Sequence, residues 1–226
     1  NQVCIDYSGW QQRVNDPGRV AINLSLKELS QASFIPRCRS VFEQHKVSAS
    51  CVELEITETT LMLDAERTLP LLDELRAMGI HLSIDDFGTG YSSLSALQQF
   101  PISTLKIDRS FVTNAATDPD DATIVRTIIE MGRSLGLQVI AEGIETEEQR
   151  YFLLHSGCQM GQGRLFGDAI PSDAFLELLL RQEEVRALPR SGRLRTSLDL
   201  DRQRFVESAV AAEIKAVGGV ARPFAL

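Results

Sequence analysis

Residues 83–94 read SIDDFGTGYSSL, an apolar run that ends in two adjacent carboxylates, Asp85 and Asp86. Neighbouring residues on a strand point to opposite faces, so we expect the two aspartates to reach two different positions. Gly88 and Gly90 free the backbone just beyond them, where a loop could approach a ligand. A single Asp-Asp-x-Gly would indicate only an acidic turn, but other segments of the chain repeat the same architecture.

Strand-like segments alternate with helical ones along the chain. The strands are predicted at residues 20–25, 52–58, 81–86, 104–108, 138–142 and 158–162. The helices are predicted at residues 1–18, 26–45, 64–78, 92–99, 121–135, 146–155 and 172–187. Such alternation favours βαβ units and a parallel sheet. We therefore expect an α/β fold, a TIM-type β/α barrel over residues 1–187, incomplete in this chain because the first-strand region is absent.

The polar residues of the predicted strands keep to one face. In the second strand, Glu53, Glu55 and Thr57 oppose an apolar face made by Val52, Leu54 and Ile56. The third and fourth strands show the same alternation. Parallel strands that are buried on both faces read as continuous apolar runs, and these do not. One face is therefore predicted to meet the helices and the other to line the barrel interior.

The last inward polar residues of the strands form one candidate site. They are Asn23, Glu55, Asp85 with Asp86, Lys106, Glu142 and Gln162. Oxygen ligands without histidine or thiolate favour Mg²⁺ or Mn²⁺ over zinc. Two such ions can activate water and stabilise the leaving oxygen in phosphoryl hydrolysis. The lysine could orient the attacking water or neutralise charge on a phosphate.

Composition limits the function classes. The 226 residues carry a formal net charge of -8, so a basic face for DNA or RNA is not expected. The four cysteines form no Cys-x-x-Cys pair and are predicted to be free thiols in a reducing compartment. Without a signal peptide or a membrane-length apolar run, a cytoplasmic location is expected. The first residue is Asn rather than Met, which indicates a piece of a longer protein with further domains. Whether that parent protein is attached to a membrane stays open.

Six short motifs follow one another along about residues 1–180. They are Asn23-Leu24-Ser25, Glu55-Ile56-Thr57-Glu58, residues 85–93, Lys106-Ile107-Asp108-Arg109-Ser110-Phe111, Ala141-Glu142-Gly143-Ile144-Glu145-Thr146 and Gln162-Gly163. With these motifs the sequence resembles the EAL domain family, the cyclic-di-GMP phosphodiesterases of bacterial second-messenger signalling. The resemblance implies hydrolysis of one phosphodiester of cyclic di-GMP to linear pGpG with two Mg²⁺ or Mn²⁺ ions.

The resemblance also implies residue roles. The implied metal ligands are Asn23, Glu55, Asp85, Asp86 and Glu142. The implied catalytic residues are Lys106 at the attacking water, Glu142 as metal ligand or activator of that water, and Gln162 as their support. Glu58 would anchor the loop that contains Gly88, Thr89 and Gly90, which couples the site to dimerisation, so a homodimer through the barrel is expected. Asp108, Arg109 and Arg164 are candidates for substrate binding.

Two departures from the family pattern bear on activity. The sequence contains no Glu-Ala-Leu, the motif that names the family and whose glutamate is implied to be a metal ligand upstream of residue 1. We expect truncation to be the cause, which could leave this chain inactive. After Gln162-Gly163 the family has an aromatic residue and a Ser-Lys-Pro-like run, whereas this chain has Arg164-Leu165-Phe166-Gly167-Asp168-Ala169. Arg164 could stack on a guanine, bind phosphate or be a solvated rim residue.

Other functions stay open at this stage. A non-catalytic cyclic-di-GMP receptor, or a regulatory dimerisation module that serves as an interaction scaffold, could use the same barrel. A metal-dependent lyase or aldolase could use similar carboxylates. Residues 188–226 are predicted to form a linker and a C-terminal helix over residues 201–217, which packs on the barrel or leads to another module.

Overall fold

The computed structural model describes residues 1–63, 65–90 and 94–187. The linker and helix predicted over residues 188–226 lie outside the described residues, as do residues 91–93 of the loop. The strands are β1 (Val20–Asn23), β2 (Val52–Thr57), β3 (His81–Phe87), β4 (Thr104–Ile107), β5 (Gln138–Ala141) and β6 (Met160–Gly161). Each of the six predicted strands is therefore present, with ends that shift by one or two residues.

The described helices follow in chain order. They are α1 (Gln2–Gln11), α2 (Leu26–Leu29), α3 (Phe34–His45), α4 (Glu58–Leu63), α5 (Ala65–Ala77), α6 (Leu94–Leu97), α7 (Arg109–Asn114), α8 (Pro119–Ser134), α9 (Glu147–His155) and α10 (Ser172–Ala187). The strands form one sheet in the order β1-β2-β3-β4-β5-β6, and every neighbouring pair is parallel. Sequential parallel strands with helical connections are the arrangement of a β/α barrel, as the alternating pattern predicts.

The sheet buries both of its faces, for different reasons. The apolar side chains of β2, β3 and β4 form the main core with the helices, and Ile56, Ile84 and Leu105 are at most 1% exposed. Burying each such side chain stabilises the fold by about 1.5–3 kcal/mol. The opposite face of β2 carries Glu53 and Glu55, which are also buried. The alternation predicted for β2 is thus confirmed, and it places ionisable groups inside the fold.

A second core joins the beginning and the end of the described chain. Trp10 of α1 packs against Phe175 of α10, with ring centroids 4.9 Å apart. Val3, Tyr7 and Leu179 belong to the same buried cluster. Aromatic pairs at this separation contribute about 0.5–1.5 kcal/mol beyond the area that they bury. The cluster holds α10 against α1 beside β1.

The prediction of a single helix over residues 26–45 is wrong, because the structure has two helices there, α2 and α3. Ser25 caps α2 as expected, with a capping box that it shares with Glu28. The chain leaves this helix at Ser30 and starts α3 at Phe34. Pro36 explains the break: proline lacks the N–H that a helix interior needs, but it is tolerated in a first turn.

Two polar residues predicted at strand ends instead begin helices. Glu58 is the first residue of α4. Asp108 caps the unpredicted helix α7, and its Oδ1 accepts a hydrogen bond from the Ser110 N–H at 2.9 Å. A carboxylate is stabilised at a helix N-terminus, where N–H groups lack partners within the helix. Each of these strands therefore ends one residue earlier than the pattern suggests.

Candidate active site

Polar side chains from four neighbouring strands meet at the carboxyl edge of the sheet. Glu55 lies on β2, Asp85 on β3 and Lys106 on β4, while Glu142 directly follows β5. In β/α barrels this edge carries the chemistry, because the loops after the strands converge there. The sequence prediction that these residues share one centre is therefore matched by their positions.

Lys106 lies at the middle of this group and is only 2% exposed. Its Nζ is 2.6 Å from Glu55 Oε1 and 3.2 Å from Asp85 Oδ1, and it also contacts Glu142 Oε1. Three carboxylates around one ammonium leave the cluster with a net negative charge when all four groups are ionised. A buried excess of negative charge is costly, so the arrangement favours further positive charge at the same place.

Asp86 does not point away from Asp85, which corrects the expectation drawn from strand alternation. The pairing of β3 with β4 shifts register between Ile84 and Phe87. Within this irregularity Asp86 takes a left-handed backbone conformation with φ 52°, which aspartate tolerates better than most residues. Carboxylate oxygens of Asp85, Asp86 and Glu142 consequently lie within 4.8 Å of one another.

The electrostatics of the cluster follow from burial and mutual contact. Burial alone would lower the pKa of Lys106, but the Glu142, Glu55 and Asp85 carboxylates outweigh it, so the pKa is raised and the amine stays charged. Burial raises the pKa of Glu142 to about 7, against the opposing effect of Lys106. Burial also raises the pKa of Glu55, and burial together with Asp85 raises that of Asp86. Bringing a cation to these carboxylates would reverse these shifts.

The donor set fits a hard divalent cation. Asp85, Asp86 and Glu142 offer carboxylate oxygens at mutual distances that one or two ions can span, and Glu55 adjoins them through Lys106. Oxygen-only sets of this kind suit Mg²⁺ and Mn²⁺. Asn23, at the end of β1, is paired in register with Glu55 of β2. Asn23 is exposed at the same edge of the sheet. Its role as a ligand stays a prediction.

Gln162 fixes the orientation of Glu142. Its Nε2 donates a hydrogen bond to Glu142 Oε1 at 2.6 Å, and its backbone N–H donates to the Ala141 carbonyl at 2.8 Å. The side chain thus reaches Glu142 from the position directly after the neighbouring strand β6. Hydrogen bonds to a charged partner contribute about 1.5–3 kcal/mol, which is enough to select one carboxylate rotamer.

The loop after β3 rests on Glu58, as the sequence suggested. Glu58 is 2% exposed, and its Oε2 accepts hydrogen bonds from the N–H groups of Gly88 at 2.9 Å and Gly90 at 3.3 Å. A Cβ at Gly90 would lie 2.9 Å from Glu58 Oε1, so a larger residue there would displace the Glu58 carboxylate. Thr89 closes the turn by donating from Oγ1 to the Asp86 carbonyl at 2.8 Å. The loop is therefore tied to Glu58 on one side and to Asp86 on the other.

Replacing Glu58 with glutamine should loosen this loop. Two charge-assisted hydrogen bonds weaken, each of which contributes about 1.5–3 kcal/mol. We expect amide hydrogen exchange at Gly88 and Gly90 to accelerate by about 10- to 100-fold. Glu130→Gln, at an exposed position of α8, is the matched control and should leave both rates unchanged. Equal exchange rates in Glu58→Gln and the unmodified protein would show that Glu58 does not hold the loop.

A cleft of about 440 Å³ opens beside Glu142 and Gln162. Arg109 Nη2 donates to Glu145 Oε1 at 2.9 Å, and Arg164 Nη1 lies 3.9 Å from the same oxygen. Both arginines are more than half exposed at the rim. Asp108, the third predicted substrate contact, lies near Asp86 and raises its pKa, although burial and Asp85 have larger effects.

Two charged residues form ion pairs that the sequence patterns do not predict. Glu145 lies three residues after Glu142 in the motif of residues 141–146, and the structure shows that it binds Arg109. The sequence predicts Glu53 only as an inward residue. In the structure its Oε2 forms an ion pair with Arg19 Nη1 at a distance of 2.7 Å, and it is not one of the carboxylates around Lys106. Its position two residues before Glu55 on the same face was the available signal. The inward face of β2 thus carries a second ion pair, between the buried Glu53 and the partly exposed Arg19.

A parallel β/α-barrel sheet with convergent carboxylates at its carboxyl edge defines a barrel domain with an acidic, metal-type site. The chain belongs to the EAL domain family, whose model matches residues 1–169. Among the described helices, none combines the length and apolar character that crossing a membrane requires.

Two similar proteins come from Pseudomonas aeruginosa. The cyclic di-GMP phosphodiesterase NbdA is 44% identical over 188 residues, which cover 83% of this chain and 24% of that protein. The bifunctional diguanylate cyclase/cyclic di-GMP phosphodiesterase MucR is 42% identical over 176 residues, which cover 78% of this chain and 26% of that protein. The chain thus spans about a quarter of the length of these curated relatives.

Solved structures show the same architecture. The MucR phosphodiesterase in complex with c-di-GMP has a TM-score of 0.74 at 42% identity, over 76% of this chain and 70% of that chain. BlrP1 of Klebsiella pneumoniae, in a complex with manganese and c-di-GMP, has a TM-score of 0.66 at 29% identity, over 72% of this chain and 42% of that chain. The expected α/β fold, an incomplete TIM-type barrel, is confirmed, with six parallel strands in the described residues.

Proposed function

We propose that this domain hydrolyses one phosphodiester bond of cyclic di-GMP, giving linear pGpG, with two Mg²⁺ or Mn²⁺ ions. The observation that carries the proposal is the convergence of Glu55, Asp85 and Glu142 on Lys106 at the carboxyl edge of an EAL-family barrel. The relatives named as cyclic di-GMP phosphodiesterases support the substrate. The manganese complex of BlrP1 supports the type of cation.

The ions would be held by carboxylates, with an amide at the edge of the set. The proposed ligands are Asn23, Glu55, Asp85, Asp86 and Glu142. Bound there, divalent cations would lower the pKa of a bound water and stabilise the negative charge that develops on the phosphodiester oxygens. The close grouping of Asp85, Asp86 and Glu142 is the structural support for this assignment.

The chain's own groups then position the reacting atoms. Lys106 Nζ keeps its proton and donates hydrogen bonds at the cluster centre, where it orients the attacking water and offsets the phosphate charge. Gln162 holds Glu142, which assists either in binding the cation or in accepting a proton from that water. The P–O3′ bond breaks as the water oxygen binds phosphorus, and the released 3′ oxygen takes up a proton from solvent. Arg109 and Arg164 bind the substrate at the rim of the cleft, and Asp108 binds it from its position near Asp86.

Hydrolysis by the whole protein that contains this domain is the direct test. With Mg²⁺ or Mn²⁺, chromatography should show cyclic di-GMP converted to pGpG, and EDTA should lower the rate at least about 100-fold because the carboxylates alone supply no Lewis acid. Excess Mn²⁺ should restore it. Tight calorimetric binding of cyclic di-GMP with no pGpG would instead identify a receptor.

We further propose a homodimer through the barrel that is coupled to the site by the loop after β3. A Cβ placed on Gly88 of this loop would lie 2.8 Å from Phe111 Cε2 of α7 and 3.2 Å from Ile128 Cδ1 of α8, so the loop packs against both helices. Helix α8 exposes Ile124, and α9 exposes Tyr151. Sedimentation velocity that shows only a monomer would contradict this part.

The setting of the domain is also a proposal. The relatives are about four times longer than the match, so we propose that further domains of a parent protein regulate this one. The four cysteines are free thiols, which supports a reducing, cytoplasmic location.

A further inference from the structure

The segment between β5 and α9, residues 142–146, places Glu142 at the candidate active site. Glu142 directly follows β5, and Thr146 caps α9 at the other end of the segment. The Glu142 N–H donates to the Ile107 carbonyl at 3.2 Å. Gly143 then turns the chain with φ 67°, a left-handed conformation that favours glycine. The path of this segment therefore determines where Glu142 lies relative to Lys106, the residue before Ile107.

A buried amide, Gln149 in the first turn of α9, holds the far end of the segment. Its Oε1 accepts hydrogen bonds from the N–H groups of Glu145 at 2.7 Å and Thr146 at 3.0 Å. Its own backbone N–H donates to Thr146 Oγ1 at 3.3 Å, which completes the capping box of α9. A capping box can use either glutamine or glutamate, because it needs a side chain that accepts.

The other half of the same amide reaches a different helix. Gln149 Nε2 donates to the Thr113 carbonyl at 3.0 Å, near the end of α7. A capping box does not require this contact, and an ionised carboxylate could not make it, because it only accepts. Helix α7 begins at Arg109, three residues after Lys106. Gln149 therefore connects the segment that carries Glu142 to the helix that follows Lys106.

Both ends of this connection are fixed. The Gln149 side chain is 7% exposed, and its oxygen and its nitrogen are both hydrogen-bonded, so one orientation of the amide is selected. Helix α7 is capped by Asp108 and buries Val112 in the main core. Catalytic groups must be held within about 0.5 Å of their productive geometry, and the residues behind them supply that support.

We infer that Gln149 is a positioning residue of this active site, and that it sets the place of Glu142 relative to Lys106 by joining residues 142–146 to α7. The inference rests on the proposed phosphodiesterase function, because Glu142 and Lys106 act there. Gln149 contacts backbone groups of the surrounding segments, and it acts through Glu142. Its donor half, which capping does not need, is the feature that distinguishes positioning from helix stability.

Gln149→Glu separates the two halves of the amide, because it keeps the accepting contacts and loses the donor to Thr113. In the whole protein with Mn²⁺ at about pH 8, we expect kcat for cyclic di-GMP to fall by about 10-fold, with KM within about twofold. A carboxyl buried beside a carbonyl oxygen has a raised pKa, and its protonated form can donate to that oxygen. The ratio of the variant kcat to the unmodified kcat should therefore rise toward one as the pH falls to about 6.

Two further variants complete the experiment. Gln12→Glu makes the same chemical change at an exposed position after α1, and it should keep kcat and KM at both pH values. Gln149→Leu can neither accept nor donate, so its kcat should fall at both pH values without recovery at the lower one. At about pH 6 the kcat values of Gln149→Glu and Gln149→Leu should differ by about 10-fold, which tests the donor even if the glutamate variant unfolds at higher pH.

Two results would overturn the inference. Turnover by Gln149→Glu equal to that of the unmodified protein at both pH values would make Gln149 a helix cap alone. A loss of kcat in that variant that is the same at both pH values would indicate a general defect of the fold.

Amide hydrogen exchange gives an answer that does not depend on turnover. If the unmodified protein makes no pGpG, the proposed function fails, but the Glu142 N–H should still exchange about 10-fold faster in Gln149→Glu than in Gln12→Glu at about pH 8. Equal exchange rates at Glu142 in these two variants would show that Gln149 does not hold the segment.

Discussion

Replacing Glu55 with glutamine should lower kcat for cyclic di-GMP by at least about 1000-fold, a loss of about 4 kcal/mol of transition-state stabilisation. The substitution keeps the shape of the side chain but removes one negative charge from the group around Lys106. A neutral amide is a poor ligand for Mg²⁺ or Mn²⁺, so cation affinity should also fall, which raises the Mn²⁺ concentration needed for any residual turnover. Steady-state rates over a Mn²⁺ titration measure both effects.

Glu53→Gln is the matched control for this prediction. Glu53 lies on the same strand and face as Glu55 and is as deeply buried, at 4% against 7% exposure. It pairs with Arg19 rather than with Lys106. We expect this variant to lose stability but to keep kcat within about threefold, since it touches no proposed ligand. Turnover in Glu55→Gln within about tenfold of the unmodified rate would refute its role.

The alternation of side chains along β2, β3 and β4 was the strongest signal in the sequence. It predicted correctly that Glu55, Asp85 and Lys106 turn inward while Ile56, Ile84 and Leu105 face the helices, because the period of two is a local property of extended chain. It could not give distances between strands. That Lys106 contacts three carboxylates follows from sheet register, which depends on pairing between segments far apart in sequence.

Local exceptions to the period were not predictable. The register shift after Ile84 and the left-handed Asp86 bring two neighbouring aspartates to one place, although the alternation rule sends them to opposite faces. The break before Phe34 is different, because Pro36 in the sequence already predicts that one continuous helix does not pass this point. A left-handed backbone conformation at a residue other than glycine costs free energy and persists only when the surrounding structure holds it. Such conformations are therefore concentrated at functional sites.

Replacing Lys106 with methionine should destabilise the domain and abolish turnover together. Methionine is of similar length but leaves Glu55, Asp85 and Glu142 buried without their shared counter-charge. Removing one partner of a buried ion pair costs about 3–5 kcal/mol, and for a domain of this size we expect Tm in EDTA to fall by about 10 °C. Mn²⁺ should raise Tm more in the variant than in the unmodified protein, because the cation takes over the compensation. Activity should stay at least about 100-fold down even with Mn²⁺, because no ammonium donates to the attacking water.

The pH dependence of Tm distinguishes loss of the Lys106 charge from loss of its packing. Burial already raises the pKa values of Glu55 and Glu142 in the folded protein, and Lys106 opposes that effect. Without the ammonium, the folded-state pKa values of the buried carboxyls rise further above their values in the unfolded chain. The folded variant then binds more protons than the unfolded chain, so its stability is retained at low pH and is lost as pH rises through the folded pKa values. The Tm deficit of Lys106→Met should therefore be larger at about pH 8 than at about pH 5.5. Lys27→Met, at an exposed position of α2, should show no deficit at either pH. An equal deficit at both pH values would mean that Lys106 contributes packing rather than charge.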